Sequence, residues 1–172
     1  MQQVKSGDLR KLGILFERYS KILFGFFHRL TGHAETSEDL VQNVFFRILK
    51  YREKFRNEGK FSTWMFHIAH NVTSDYFRKK KRLEYPLESY REEGCENQGE
   101  DEGISRNEQL ILLSKALQKL APEARELLLL GRFKELKYKE IAGILKCTEG
   151  AVKVRMHRAI KELREIYARL EG

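Results

Sequence analysis

Between Thr148 and Lys161 the chain places Lys153, Val154, Arg155, His157, Arg158 and Lys161 on the side of a helix opposite Val152 and Met156. Cations on such a face can neutralise phosphates and can donate to the guanine acceptors exposed in a major groove. A second concentration covers FSTWMFHIAHNVTSDYF and runs straight into Arg78, Lys79, Lys80, Lys81 and Arg82. There His67, Asn71, Ser74 and Arg78 share one helical line, away from Met65 and Val72. Rings, an amide and cations on one surface suit the stacking of unpaired bases and the holding of their backbone. Aromatic residues at helical spacing also serve as core, and Phe66 and Tyr76 are expected to do so in part. Asn71, between His70 and Val72, has no packing role to fill.

Other chemistries find little support. His67 and His70 lie three apart on one helix, as a metal-dependent nuclease would use them, but no clustered carboxylates accompany them. Cys95 and Cys147 are far apart and have no partners at metal-ligand spacing, so they read as free thiols. No metal, cofactor or catalytic residue is expected.

The elements that must position these residues are helices. Leu9, Leu12, Phe16, Tyr19, Leu23, Phe26 and Leu30 alternate three and four apart. Val41, Val44, Ile48, Tyr51 and Phe55 repeat the rhythm after Thr36 and Asp39, which resemble a capping box. A third helix follows Ser62 and Thr63, with Met65, Ile68, Val72 and Tyr76 as its apolar line. A second block opens at Ser105, spaced to Glu108 as a capping box, and carries Leu110, Leu113, Leu117 and Leu120. Pro122 suits a first helical turn ahead of the run Leu127 to Leu130. A short helix with Ile141, Ala142 and Leu145, a break at Lys146 and Cys147, and a helix capped by Thr148 have the dimensions of a helix-turn-helix. No stretch alternates as a half-buried strand does, so the fold class is all-α, two small helical domains.

Residues 84–108 separate the blocks and hold eight Glu and one Asp against Arg91 and Arg106, interrupted by Pro86, Gly94, Gly99 and Gly103. They read as a flexible acidic linker between domains 1–83 and 109–172, either a solubilising tether or an occupant of a basic channel. The whole chain of 172 residues carries +8, and without the linker 31 basic and 16 acidic residues leave +15. Polyanionic partners follow, nucleic acid before membrane. No apolar run approaches the roughly 20 residues of a membrane span, and the N-terminus lacks a signal-type stretch. A soluble cytoplasmic protein without membrane insertion is expected.

The segments EDLVQNVFFRILK, FSTWMFHIAHNVTSDYFRKKKR and LAPEARELLLLGRFKELKYKEIAGILKCTEGAVKVRMHRAIKELR, in this order, resemble a bacterial extracytoplasmic-function sigma factor of the sigma-70 family. The resemblance implies a promoter-specificity subunit of RNA polymerase and not an enzyme. Region 2 would recognise and open the minus-10 element, and region 4 would read the minus-35 element through its helix-turn-helix. By the same resemblance Asp39, Gln42, Asn43 and Phe45 match the helix that docks on the polymerase clamp helices. Asn71 falls where a flipped minus-10 base is read, with Phe61, Trp64, Arg78 and Lys79 nearby. Lys153, Val154, Arg155, His157, Arg158 and Lys161 fall on the recognition helix. The second domain would also meet the polymerase flap, and an anti-sigma factor is an expected partner.

The chain departs from the family pattern at three places. Lys146 stands at a turn position usually held by glycine, at a cost of about 1 kcal/mol. Lys137 replaces a Ser or Thr cap, removing a contribution of about 1 kcal/mol. Ala121 replaces a frequent proline. None touches the DNA-reading face. A helix-turn-helix repressor with a ligand-binding partner domain is the competing class, and it leaves the aromatic, amide and five-cation run without a purpose.

Overall fold

Residues 1–56, 59–83, 104–133 and 136–171, those described by the computed structural model, form eight α-helices and one 3₁₀ turn, with no strand among them. The helices are α1 (Gln2–Lys5), α2 (Arg10–Thr31), α3 (Ala34–Lys50), α4 (Phe61–Leu83), α5 (Ile104–Lys119), α6 (Pro122–Arg132), α7 (Tyr138–Ile144) and α8 (Glu149–Glu171). The described residues fall into two compact units, 1–27 with 34–83 and 28–33 with 104–171. Most of the expected acidic linker, residues 84–103, lies outside the described residues.

In the first unit the apolar lines of α2, α3 and α4 meet. Leu23, Phe26 and Phe27 of α2, Val44 and Ile48 of α3, and Met65, Phe66 and Val72 of α4 are all buried. The expected apolar line is used only in part, because Leu9 falls before α2 and is 52% exposed, and Phe16 within it is 43% exposed. Helix α3 stops at Lys50, and Phe55 reaches the core only after the 3₁₀ turn Arg52–Lys54. Phe55 anchors an aromatic cluster, its ring centroid 5.2 Å from Trp64 and 6.2 Å from Phe61, while Tyr19 lies 5.2 Å from Phe61.

Three expected helix starts are displaced. Thr36, Ser62 and Ser105 all lie inside first turns, because α3, α4 and α5 begin at Ala34, Phe61 and Ile104. Gly32, at φ 82, ends α2 so abruptly that α3 starts before Thr36 is reached.

In the second unit Ala116, Leu117, Leu120 and Ile166 form a buried cluster joining α5 to α8, covered by Leu113, Leu128, Leu163, Tyr167 and Leu170. Pro122 occupies the first turn of α6 as expected. Gly131 permits a close approach of α6 and α8, because a Cβ there would collide with the Met156 terminal methyl. Buried Arg125 donates to the carbonyls of Gln118 and Leu120, so a cation closes the C-terminal end of α5. Burial pushes its pKa down to about 10, which leaves it charged at neutral pH.

The turn between α7 and α8 is closed in a Schellman pattern. Cys147 N–H donates to the Ala142 carbonyl at 2.9 Å and Lys146 N–H to the Gly143 carbonyl at 3.3 Å. This places Lys146 at φ 53, a left-handed conformation, which accounts for the glycine that the family pattern usually has at this turn. At the other end of α7, Lys137 has no acceptor to offer, but the Glu140 carboxylate accepts from Lys137 N–H at 2.7 Å and supplies half of a capping box. Because Lys146 is exposed, Lys146→Gly should relieve strain without removing a contact. It should stabilise the unit by about 1 kcal/mol, raising its melting temperature by roughly 4 to 8 °C. A melting temperature at or below that of the parent, followed by circular dichroism, would show that the turn is not strained.

Candidate nucleic-acid interface

Helix α8 begins with the cap expected of Thr148, whose Oγ accepts from Ala151 N–H at 3.1 Å. From there Val152, Met156, Ala159 and Ile166 are buried. That stripe fixes the rotation of the helix and turns Lys153, Val154, Arg155, His157, Arg158 and Lys161 outward, all of them exposed. The sequence expectation for this face therefore holds as geometry. One neighbour was missed: Glu149 lies one turn before Lys153 and pairs with its Nζ at 2.9 Å. Its i,i+4 spacing was the available signal.

Helix α4 divides the expected minus-10 residues into two kinds. Asn71, Ser74, Arg78 and Lys79 are exposed along one side of the helix, whereas Met65, Phe66, Ile68, Ala69 and Val72 are buried on the other. Phe61, Trp64 and His67 are half-buried, and the first two are held by the Phe55 cluster. Their rings are thus rigid, partly exposed surfaces. Tyr51, expected on an apolar line, is instead exposed, with the ammonium groups of Lys50 and Lys54 at 5.6 and 5.1 Å from its ring centroid.

Helix α3 shows Asp39, Gln42 and Asn43 exposed, but Phe45 is only 6% exposed and packs against Phe16 at 4.9 Å between ring centroids. Phe45 is thus a core residue. The ring offered to solvent is Phe46, at 64% exposure, in helical register with Gln42 and Asn43. Two adjacent phenylalanines cannot share a helix face, and the periodicity from Val41, Val44 and Ile48 could have told them apart.

The two helices are joined by charge. Asp75 of α4 accepts from Arg47 Nη2 of α3 at 2.8 Å and from Arg78 Nη2 at 2.6 Å. Arg47 Nε in turn donates to Asn43 Oδ1 at 2.8 Å. The hydrogen bond from Arg47 holds the Asp75 carboxyl below its usual range, with the charges of Arg47, Arg78 and Lys79 adding to the effect. His67 and His70 are both half-buried. Among the described residues no group of three or more His, Cys, Asp or Glu could hold a metal ion, and no helix is long and apolar enough to cross a membrane.

Comparison with known proteins bears on both units. The family model for sigma-70 region 2 matches residues 15–83 and that for sigma-70 region 4 matches residues 110–163. The chain is 30% identical over 154 residues to the RNA polymerase sigma factor YlaC of Bacillus subtilis, covering 88% of each. It is 29% identical over 174 residues to the ECF RNA polymerase sigma factor SigW of the same organism, covering 96% of this chain and 93% of that one. Among solved structures, the sigma factor RpoE of Bartonella quintana, crystallised with the anti-sigma factor NepR, aligns with a TM-score of 0.71 at 23% identity, over 91% of this chain and 96% of that one. CnrH, in complex with the cytosolic domain of CnrY, aligns with a TM-score of 0.68 at 24% identity, over 96% and 92%. These two likenesses show the fold.

The bridging carboxylate makes a pH-dependent contribution. A carboxyl with a folded-state pKa below its unfolded value, about 3.9, stabilises the fold above that value and loses the contribution as pH falls through the lower folded pKa. Asp75→Asn should therefore destabilise the protein at neutral pH and make progressively less difference as the pH drops below about 3.9, the unfolded-state value, and through the lower folded one. Urea unfolding of both proteins across that range checks this, and a difference independent of pH would assign the effect to shape instead of charge.

Proposed function

We propose a division of labour for a chain that belongs to the extracytoplasmic-function group of the sigma-70 family, a promoter-recognising factor that directs transcription initiation by RNA polymerase and is not an enzyme. Residues 1–83 act as region 2, docking on the polymerase clamp helices and recognising and melting the minus-10 element. Residues 109–172 act as region 4, reading the minus-35 element and meeting the polymerase flap. Residues 84–108 join them, and their nine acidic side chains suit a basic path through the polymerase. The factor works in the cytoplasm, where its polymerase and promoters are.

The observation that carries the upstream assignment is the clean division of α8, with an apolar stripe buried and Lys153, Arg155, His157 and Arg158 exposed on the other side. A helix presented in this way can enter a major groove without disturbing its own core. For region 2 the support is the exposed line Asn71, Ser74, Arg78 and Lys79 beside the rigid rings of Phe61 and Trp64. A flipped base gains an amide partner at Asn71 and stacking from the rings, and the cations hold its backbone. On α3, Asp39, Gln42, Asn43 and the exposed ring of Phe46 form the polymerase contact. RpoE and CnrH are each captured with another protein, the first an anti-sigma factor. An anti-sigma protein restrains the present chain in the same manner.

Reconstituting the protein with core polymerase on genomic DNA and sequencing the transcripts tests the reading, which expects start sites sharing a two-part upstream motif. On those promoters Lys153→Ala should cost about 1 to 3 kcal/mol at particular minus-35 bases if Lys153 reads a base edge. Uniform weakening with a shallower salt dependence would make it a phosphate contact, and no change at all would place it off the DNA.

The docking surface is tested separately. Asp39→Ala combined with Gln42→Ala should weaken core polymerase binding by more than about 1 kcal/mol with helix content intact, as loss of polar contacts within an interface can. Unaltered affinity in a titration rejects the assignment.

A further inference from the structure

We propose that Asp75 is a positioning residue for polymerase docking: although it lies on the minus-10 helix α4, it sets the arrangement of Arg47 and Asn43 on the docking helix α3. The inference rests on the assignment of those two faces made above.

Its basis is a continuous chain of contacts. Asp75 Oδ2 takes Arg47 Nη2 at 2.8 Å, Asp75 Oδ1 takes Arg78 Nη2 at 2.6 Å, and Arg47 Nε reaches Asn43 Oδ1 at 2.8 Å. Each carboxylate oxygen holds one guanidinium, and one guanidinium grips both Asp75 and the Asn43 amide. Arg47 and Asp75 are only 26% and 32% exposed, so their pairing is less screened than that of free surface charges. A planar guanidinium held at two of its nitrogens cannot turn, and the amide it donates to is fixed with its N–H₂ group directed away from Arg47. Asn43 thereby meets a partner already oriented, which spares the ordering cost of association. With Asp75 gone, Arg47 stands near Arg78 and Lys79 without a counter-charge, and its hold on Asn43 loosens. Arg78 is tied to the same carboxylate from the other side, so the arrangement of a minus-10 cation and of a docking amide depends on one group.

The experiment titrates the full-length labelled protein against core polymerase with no DNA present. Asp75→Asn and Arg47→Gln should each weaken binding about threefold to tenfold, and the double variant should be no weaker than the worse single one. Asp75→Glu should recover part of the loss. Val72→Ala, which destabilises the α3–α4 core without touching the contact chain, measures the consequence of a merely structural defect. Polymerase affinity that falls equally with Val72→Ala at matched loss of melting temperature overturns the proposal, as do additive losses for Arg47 and Asp75. If the Asp39 and Gln42 variants bind normally, the docking face itself is wrong and the proposal falls with it. If they bind weakly while Asp75→Asn binds normally, only the proposal falls. With oligo(dT) as probe and polymerase saturating, the effect of Arg78→Ala should differ according to whether it is made in the parent or in the Asp75→Asn variant, and equal effects would sever Arg78 from the chain.

Discussion

Burial of a single stripe on α8 decides what the second unit can do. Val152, Met156, Ala159 and Ile166 lie three, four or seven residues apart, so they fall close to one line along the helix, and hiding them leaves one rotation of the cylinder about its axis. Every outward residue of the basic face follows from that rotation. The neighbours enforce it: α6 approaches Met156 where Gly131 has no side chain, and α5 closes on Ile166 through Ala116, Leu117 and Leu120. An added methyl at Gly131 would meet the terminal methyl of Met156, the flexible end of that side chain, and displace it.

The first unit solves a different problem, because the surface proposed to read the minus-10 element carries apolar rings that would ordinarily be drawn inward. Phe55 resolves the conflict. By taking the buried position itself, at 6% exposure, it gives Phe61 and Trp64 something to pack against along one edge while leaving them half open. Rings held in this way lose little freedom when a base stacks on them. The loop bearing Phe55 is fastened in turn by Lys5, whose ammonium donates to the Phe55 carbonyl at 3.4 Å.

Helical periodicity made most of this legible in advance. The all-helical fold, the orientation of α8 and the exposure of Asn71 could each be read from spacing and residue type, while the left-handed Lys146 was legible only through the family resemblance, which puts glycine there. What escaped was decided over shorter or longer distances than that pattern reports. Thr36, Ser62 and Ser105 looked like caps, but a helix can start whenever the preceding backbone allows it, and Gly32 allowed α3 to start at Ala34. The choice between Phe45 and Phe46 turns on about 100° of rotation, which a family resemblance does not fix and the core does. The Arg47 to Asp75 contact spans 28 positions and belongs to packing, so no local spacing announces it.

The acidic groups among the cations also have a physical purpose. A chain of +8 that bound every phosphate backbone strongly would be held at nonspecific sites, since backbone affinity grows with the number of counterions released. Glu149 on Lys153 and Asp75 on Arg78 each set a carboxylate against a cation of the proposed reading surface. The Glu149–Lys153 pair is neutral towards a distant phosphate, and Asp75 with its two guanidinium partners, Arg47 and Arg78, carries one positive charge instead of two, yet each cation remains available where a better-placed acceptor can displace the carboxylate. On the proposed reading, nonspecific attraction would thereby be reduced, while a hydrogen bond at a correct base would be retained. Discrimination would then rise although gross affinity falls, the balance a promoter-recognising factor needs when its affinity for DNA is to be spent at a small fraction of sites.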